Sequence, residues 1–536
     1  MNFCKWMVAA ALSISSACIA QTAKPQTFSQ ALQAILAEPV FQHANFGVEL
    51  YSLDTQTPVF SLNAEKLFTP GSTTKLLTEG TALQLLGPDY RFHTSVYRTG
   101  DVDAQGTLQG DLILVASGDP NLSSRVQADD TLAFENEDHS YGGLDAEVVP
   151  GDPLVVLREF ANQIFAHGIR KVEGRVLVDT TLFRAGVREL GTGVIISPVS
   201  VNDNVVDLTV TPGQAVGAAA WVSVSPAVPW LSFDNKITTG ALGTNPEVND
   251  RSARGRYGDE IVTVNLTGSI PIGNKPFLVP YAVPDPVRFA ESLLSRALSD
   301  KGIVLEAQQN NADVDFAAMK KYYTLQNSVA EHVSPPLSEE AKVTLKVSQN
   351  LHASMMPYIL GAILGHAAEN ADAKGLELEH DLLEKAGLDL SGAAQGDGAG
   401  GAESAFFTPD FMVHFLDFMA QQPTFAVFHR ALPVLGRDGT LVKIQAGDPA
   451  AGHVFAKTGT FEAIDLLNNR FMLVGKGLAG YMTTSSGQKL AFALYANHVS
   501  LPHDPQAIDQ VAGQALGAIA AAAWRLPIDK AALETQ

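Results

Sequence analysis

Cysteine is nearly absent from this chain. Among 536 residues only Cys4 and Cys18 occur, both within the first twenty. A chain that loses that segment has no disulfide, no thiolate nucleophile and no cysteine-ligated metal. Basic residues are also in short supply. Lys and Arg number 36 against 57 Asp and Glu, a net charge of −21, and no basic stripe is present, which argues against a nucleic-acid binder that must displace counterions from phosphates. The sequence has no Gly-x-Ser-x-Gly elbow and no His-Glu-x-x-His. A Ser-His-Asp hydrolase and a zinc peptidase of those patterns are therefore disfavoured, and no metal or cofactor is expected.

What is present is apolar and long. A hydrophobic content of 46% with 17% charged residues can offset the entropy of ordering, and the length suggests about three domains. Residues 1–20 read as an export signal: a basic start at Lys5, an apolar stretch from Trp6 to Ala17, and the small-x-small end Cys18-Ile19-Ala20. That stretch is shorter than the roughly 20 residues a membrane span needs, so cleavage and export to a bacterial envelope are expected.

Farther along, Gly47 to Leu53 and Val59 to Leu62 read as two strands around a turn, and Ser72 to Leu86 as a helix ended by Gly87-Pro88. From about 91 to 325 short β-like runs alternate with Gly, Pro and Asn turns. Within that stretch Val126 to Pro153, acidic and Gly-containing, reads as a mobile loop. Helical patterns return around Leu351 to His366, Pro409 to Gln421 and Pro505 to Arg525, with apolar strands at Leu478 to Met482 and Leu490 to Ala496. The chain thus reads as an α/β body split by a β-rich insertion.

One constellation carries chemistry. Gly71-Ser72-Thr73-Thr74-Lys75 places a hydroxyl and an amine about one helical turn apart on one face. Lys75 can take the Ser72 proton only if its pKa falls from about 10.4 towards 7–8, roughly 3–5 kcal/mol of desolvation and neighbouring positive charge. Lys457 is the expected second cation. It opens Lys457-Thr458-Gly459-Thr460, read as a strand that pairs with an extended peptide, offers Lys457 and Thr458 to a carboxylate, and keeps Gly459 bare where backbone approaches. Ser348-Gln349-Asn350 precedes a helix. Ser348 is expected to relay protons, and Asn350 to hold a substrate carbonyl or Lys75. The N–H groups of Ser72 and Thr460 are the expected oxyanion donors, each worth about 3 kcal/mol. Ser486 to Lys489 repeats the Ser-x-x-Lys spacing, but in a turn before a strand, where the two groups share no helix face.

The order of these motifs, together with Leu86 to Phe92, Ser117-Gly118-Asp119-Pro120 and Asp438-Gly439-Thr440-Leu441, resembles the serine D-alanyl-D-alanine carboxypeptidase/endopeptidases of the penicillin-binding protein 4 type. The resemblance implies an α+β transpeptidase-like body, an antiparallel sheet with flanking helices, formed by residues 25–90 and 326–530. Two mostly β inserted domains interrupt it, one from 91–185 and 272–325, the other from 186–271. It implies a periplasmic enzyme that acts on peptidoglycan stem peptides and cross-links through a Ser72 acyl-enzyme and is acylated by β-lactams. Asp179, in Val178 to Phe183, resembles a residue that reaches the amine end of the stem peptide; a strand-end turn residue is the alternative reading. A wall-binding relic, a β-lactamase and an esterase are alternative functions on the same fold. Peripheral membrane contact and oligomeric state are left open.

Three departures from the family pattern stand out. Gln349 occupies a position where Asp or Asn is usual, a middle position read as the least tied to the chemistry. Asp397-Gly398-Ala399-Gly400 replaces Asp-Gly-Ser-Gly, and Leu466 to Lys476 is an extra segment beside the Lys457 strand.

Overall fold

The structure, a computed structural model, describes residues 27–250, 261–306, 314–504 and 506–529. The expected signal segment lies outside them. A five-stranded antiparallel sheet forms the body, in the order Val454–Asp465, Arg470–Thr483, Lys489–Pro502, Asn45–Ser52, Thr57–Leu62. Its central strands are covered on both faces, so alternate residues enter different cores. Leu490, Phe492 and Leu494 pack with the terminal helices Phe28–Leu36 and Gln514–Arg525, while Ala491, Ala493 and Tyr495 face the other helices. This explains why these strands read as unbroken apolar runs.

Among the facing helices, Lys75–Leu85 is buried along nearly its whole length. Gly80 admits the Phe415 ring of Pro409–Ala420, where an added Cβ would lie 2.7 Å from the ring. Among the described residues no helix is long and apolar enough to cross a membrane.

The insertion carries small sheets plus two long helices, Val155–Ala166 and Pro286–Asp300, on one apolar core running from Val96 to Ala330. Two of its pairings cross the expected boundaries. Phe277–Ala282 pairs with Val205–Thr211, and Ser328–Val333 pairs with His93–Arg98. The pairing partner of a strand is chosen by long-range contact, which composition along the chain does not report.

The expectation of a mobile loop over 126–153 is corrected. The segment has little regular structure, but Leu132, Asp138, His139 and Ser140 are buried and Asp138 caps a turn at His139–Tyr141. Asp138, His139 and Ser140 are packed inside, whereas Asp129, Asp130, Glu137, Asp145 and Glu147 face solvent. The extra segment is the far end of a long hairpin: the pairing runs from Val454–Met482 out to Asp465–Arg470. Leu466 and Leu467 at its tip are 88% and 90% exposed.

Candidate active site

Pro70 and Gly71 set the turn that carries Ser72. Gly71 has φ +51°, and the chain winds through a tight 3-10 turn, Gly71–Thr74, before the α-helix begins at Lys75. The sequence predicts a helix from Ser72; the first turn is tighter because Thr73 and Thr74 hydroxyls donate back to the Pro70 and Gly71 carbonyls, both at 2.9 Å. Close packing fixes the turn from outside. A Cβ on Gly71 would lie 2.5 Å from Thr460 N, and one on Gly459 2.0 Å from the Pro70 oxygen. The Lys457 strand therefore runs directly along the serine turn, and the Thr460 amide nitrogen sits beside it.

The three motifs meet at Lys75. Its ammonium donates to Ser72 Oγ at 2.8 Å, Ser348 Oγ at 3.2 Å and Asn350 Oδ1 at 2.6 Å. Lys457 donates to the same Ser348 Oγ at 2.8 Å and to the Thr458 carbonyl at 2.8 Å. Both lysines are 0% exposed, whereas Ser72 is only half-buried. A partly open hydroxyl over a dry amine is what nucleophilic attack on an incoming carbonyl requires.

Burial lowers the Lys75 pKa to about 8, although Glu189 and Asp397 pull it back upward. Of the two expected contributions, desolvation is the one that lowers it. The repulsion falls instead on Lys457, which burial, Lys75 and Lys476 together hold well below its ordinary value. Asn350 takes the second of its two expected roles, holding Lys75. Thr458 Oγ1 donates to Thr440 at 2.9 Å, which gives the Asp438 to Leu441 motif a place at the site.

Asp179 is not brought into this cluster. It is 1% exposed at the end of Val176–Asp179, where its carboxylate accepts from Tyr323 Oη at 2.6 Å and from the Thr181 amide at 2.8 Å. The strand-end reading accounts for these two contacts.

Several residues at the site escaped sequence reasoning. Lys476, opposite Thr460 in the hairpin, donates to Thr460 Oγ1 at 2.8 Å and to Asp509 at 2.7 Å. Glu189 binds the Gly191 and Thr192 amides, holding a loop whose Gly191 backbone abuts the Asn350 amide. Behind Ser348 a buried network joins Arg125, Asp138, His139, Asp203, His352 and Glu340. Nothing in their spacing links these residues; only the short Glu189-to-Gly193 stretch, rich in glycine, carried a local signal. Asp138, His139 and Asp203 come close enough to hold a cation. The Arg125 guanidinium already fills that role, donating to both carboxylates. Beside the cluster, a cavity of about 270 Å³ opens between Ser140 and Tyr141 on one side and Gly191, Thr192 and Val194 on the other.

The comparisons with known proteins agree with this geometry. The chain belongs to the D-Ala-D-Ala carboxypeptidase 3 (S13) family, which it matches over residues 28–516, and it is accordingly a serine-type peptidase. A D-alanyl-D-alanine carboxypeptidase of Actinomadura sp. (strain R39) is 28% identical over 493 residues, covering 88% of this chain and 81% of that protein. The DacB D-alanyl-D-alanine carboxypeptidase of Haemophilus influenzae is 22% identical over 491 residues, covering 88% and 90%. The crystal structure of penicillin-binding protein 4 from H. influenzae superposes with a TM-score of 0.67 at 20% identity, over 92% of this chain and 97% of that one. That likeness establishes the penicillin-binding, β-lactamase-like fold with its extra domains. A second structure of that protein holds a β-lactam.

Proposed function

We propose that this protein is an exported, periplasmic enzyme that removes the terminal D-Ala of peptidoglycan stem peptides through an acyl-enzyme on Ser72. The same serine opens stem-peptide cross-links and is acylated by penicillins. The observation that carries the reading is the contact of Lys75 Nζ with Ser72 Oγ at 2.8 Å in a site where Lys75 is fully buried.

The steps follow from that contact. Above a pH of about 8 the Lys75 amine is the prevailing form and takes the Ser72 proton as Oγ attacks the penultimate carbonyl carbon. The oxyanion is met by the Ser72 and Thr460 N–H groups. Ser348, bonded to both lysines, returns the proton to the departing amine as the C–N bond breaks, and water then hydrolyses the ester. The substrate lies along the Val454–Asp465 edge strand, its carboxylate near Lys457 and Thr458. An arriving carboxylate offsets the repulsion that depresses Lys457.

The test is mass spectrometry of the intact protein after incubation with labelled penicillin, alongside release of D-Ala from a D-Ala-D-Ala peptide. Wild type is expected to gain one covalent adduct and to turn over the peptide, while Ser72→Ala does neither and keeps its thermal midpoint. Retained turnover in Ser72→Ala rejects the assignment. Digestion of cross-linked muropeptides reports the cross-link activity separately.

A further inference from the structure

Ser348 has a backbone φ of +62°, the left-handed region that a residue with a Cβ occupies only when its surroundings impose it. Two contacts from the inserted region flank it here, and neither is used by the reaction steps above. The Tyr141 hydroxyl donates to the Ser348 carbonyl oxygen. On the other side of the same peptide bond, the Gln349 side chain is fully buried, and its amide donates to Asp138 Oδ1 at 3.0 Å, Asp203 Oδ2 at 3.2 Å and Ser140 Oγ at 3.3 Å. Its own oxygen accepts the Leu351 N–H at 2.7 Å, capping the Asn350–Ile363 helix.

Asp138 couples the two contacts. It accepts the Ser140 N–H at 2.9 Å and hydroxyl at 2.6 Å, fixing the turn that presents Tyr141, and at the same time receives Gln349. Arg125 pairs with both Asp138 and Asp203 from behind. This arrangement accounts for an amide rather than Asp at position 349: an amide donates to two carboxylates, while a third carboxylate would repel them. The middle residue of the Ser-Gln-Asn motif is therefore tied to the site after all.

We propose that Tyr141 and Gln349 are positioning residues, a clamp by which the inserted region holds Ser348 in its left-handed conformation so that its hydroxyl stays between Lys75 and Lys457. The inference rests on the reading of Ser72 as the nucleophile. Displacing a proton-relaying hydroxyl by about 1 Å can lower a rate on the order of a hundredfold. Tyr141→Phe keeps the ring and removes only the donor; Gln349→Met keeps the volume and removes the amide.

The experiment measures the limiting rate constant of acylation by a fluorescent penicillin, per titrated active site, across pH 6 to 10 on the full chain. For Tyr141→Phe the expected result is a loss of roughly tenfold to a hundredfold. The concentration giving half-saturation and the thermal midpoint should stay unchanged, and the pH of half-maximal rate should move. Gln349→Met should behave alike; if it does not fold, Tyr141→Phe decides alone. A rate within twofold of wild type overturns the clamp. So does a loss explained by fewer active sites, or one with an unmoved pH midpoint, since either marks a packing role. Labelling that persists in Ser72→Ala fails the reading of the site itself, whereas labelling at Ser72 with an unaltered Tyr141→Phe fails only the clamp.

Discussion

The Lys75 cluster is bounded by two walls built in different ways. One is backbone: the Val454–Asp465 edge strand lies so close to the serine turn that Gly459 and Gly71 admit no side chain. The other is side chains: Arg125, Asp138, Asp203, His139, His352 and Gln349, drawn from both the insertion and the body, lock together behind Ser348. The backbone wall is local, a few consecutive residues whose identity is dictated by contact distance. The side-chain wall is distributed, and each member is tolerable only because the others are present, since an unpaired charge in a dry site is costly. The first therefore leaves a motif, and the second leaves scattered polar residues that look like a solvated loop.

Substitutions can separate the two walls. Arg125→Met should have the largest effect on stability, because it strands Asp138 and Asp203 without their shared cation. A loss of about 3–5 kcal/mol is expected from denaturant unfolding; a loss under about 1 kcal/mol would mean that His139 and His352 suffice. Gly459→Ala should cost about 1–3 kcal/mol by pushing the strand off the Pro70 carbonyl, and should reduce acylation more than it reduces stability. Equal loss in both would show that the strand supports the fold rather than the site.

The side-chain wall should also respond to pH. Burial disfavours a charged His352, but Glu340 and Asp203 outweigh it and raise the pKa to about 10. A raised pKa gives stability that is fully present below the unfolded value near 6.5 and is lost as pH climbs through about 10. The stability difference between wild type and His352→Asn should therefore be greatest below about 6.5 and shrink through about 10. A difference that is flat with pH would mean that the ring is held neutral. The smallest effect is expected at the hairpin tip. Leu466→Ser and Leu467→Ser, at fully exposed positions, should change stability by less than about 0.5 kcal/mol, checked by the same unfolding curves.

Much of the backbone wall was legible in advance. Ser72 and Lys75 were placed by helical spacing, Lys457 to Thr460 by a strand pattern, and Ser348 to Asn350 by position ahead of a helix; the structure gathers Ser72, Ser348 and Asn350 around the Lys75 ammonium and joins Lys457 to them through Ser348. Gln349 was undervalued because its partners, Asp138 and Asp203, lie 211 and 146 residues away. The Asp179 contact was equally invisible, since its partner Tyr323 is likewise distant in sequence. The segment 126–153 misled for a related reason: most of its acids are exposed as composition suggests, but Asp138 is buried against Arg125 and His139 against Asp203, a partner 64 residues away.

The sequence alone determined the local chemistry: which hydroxyl and amine share a face, which strand carries a bare glycine, and which stretches carry helical periodicity, because periods of two and 3.6 residues act over a few neighbours. Only the tertiary structure decided which lysine has its pKa lowered further, how Ser348 is held, and that part of an acidic stretch packs behind the site. Burial and charge pairing depend on residues hundreds of positions apart, and no short stretch of chain contains that information.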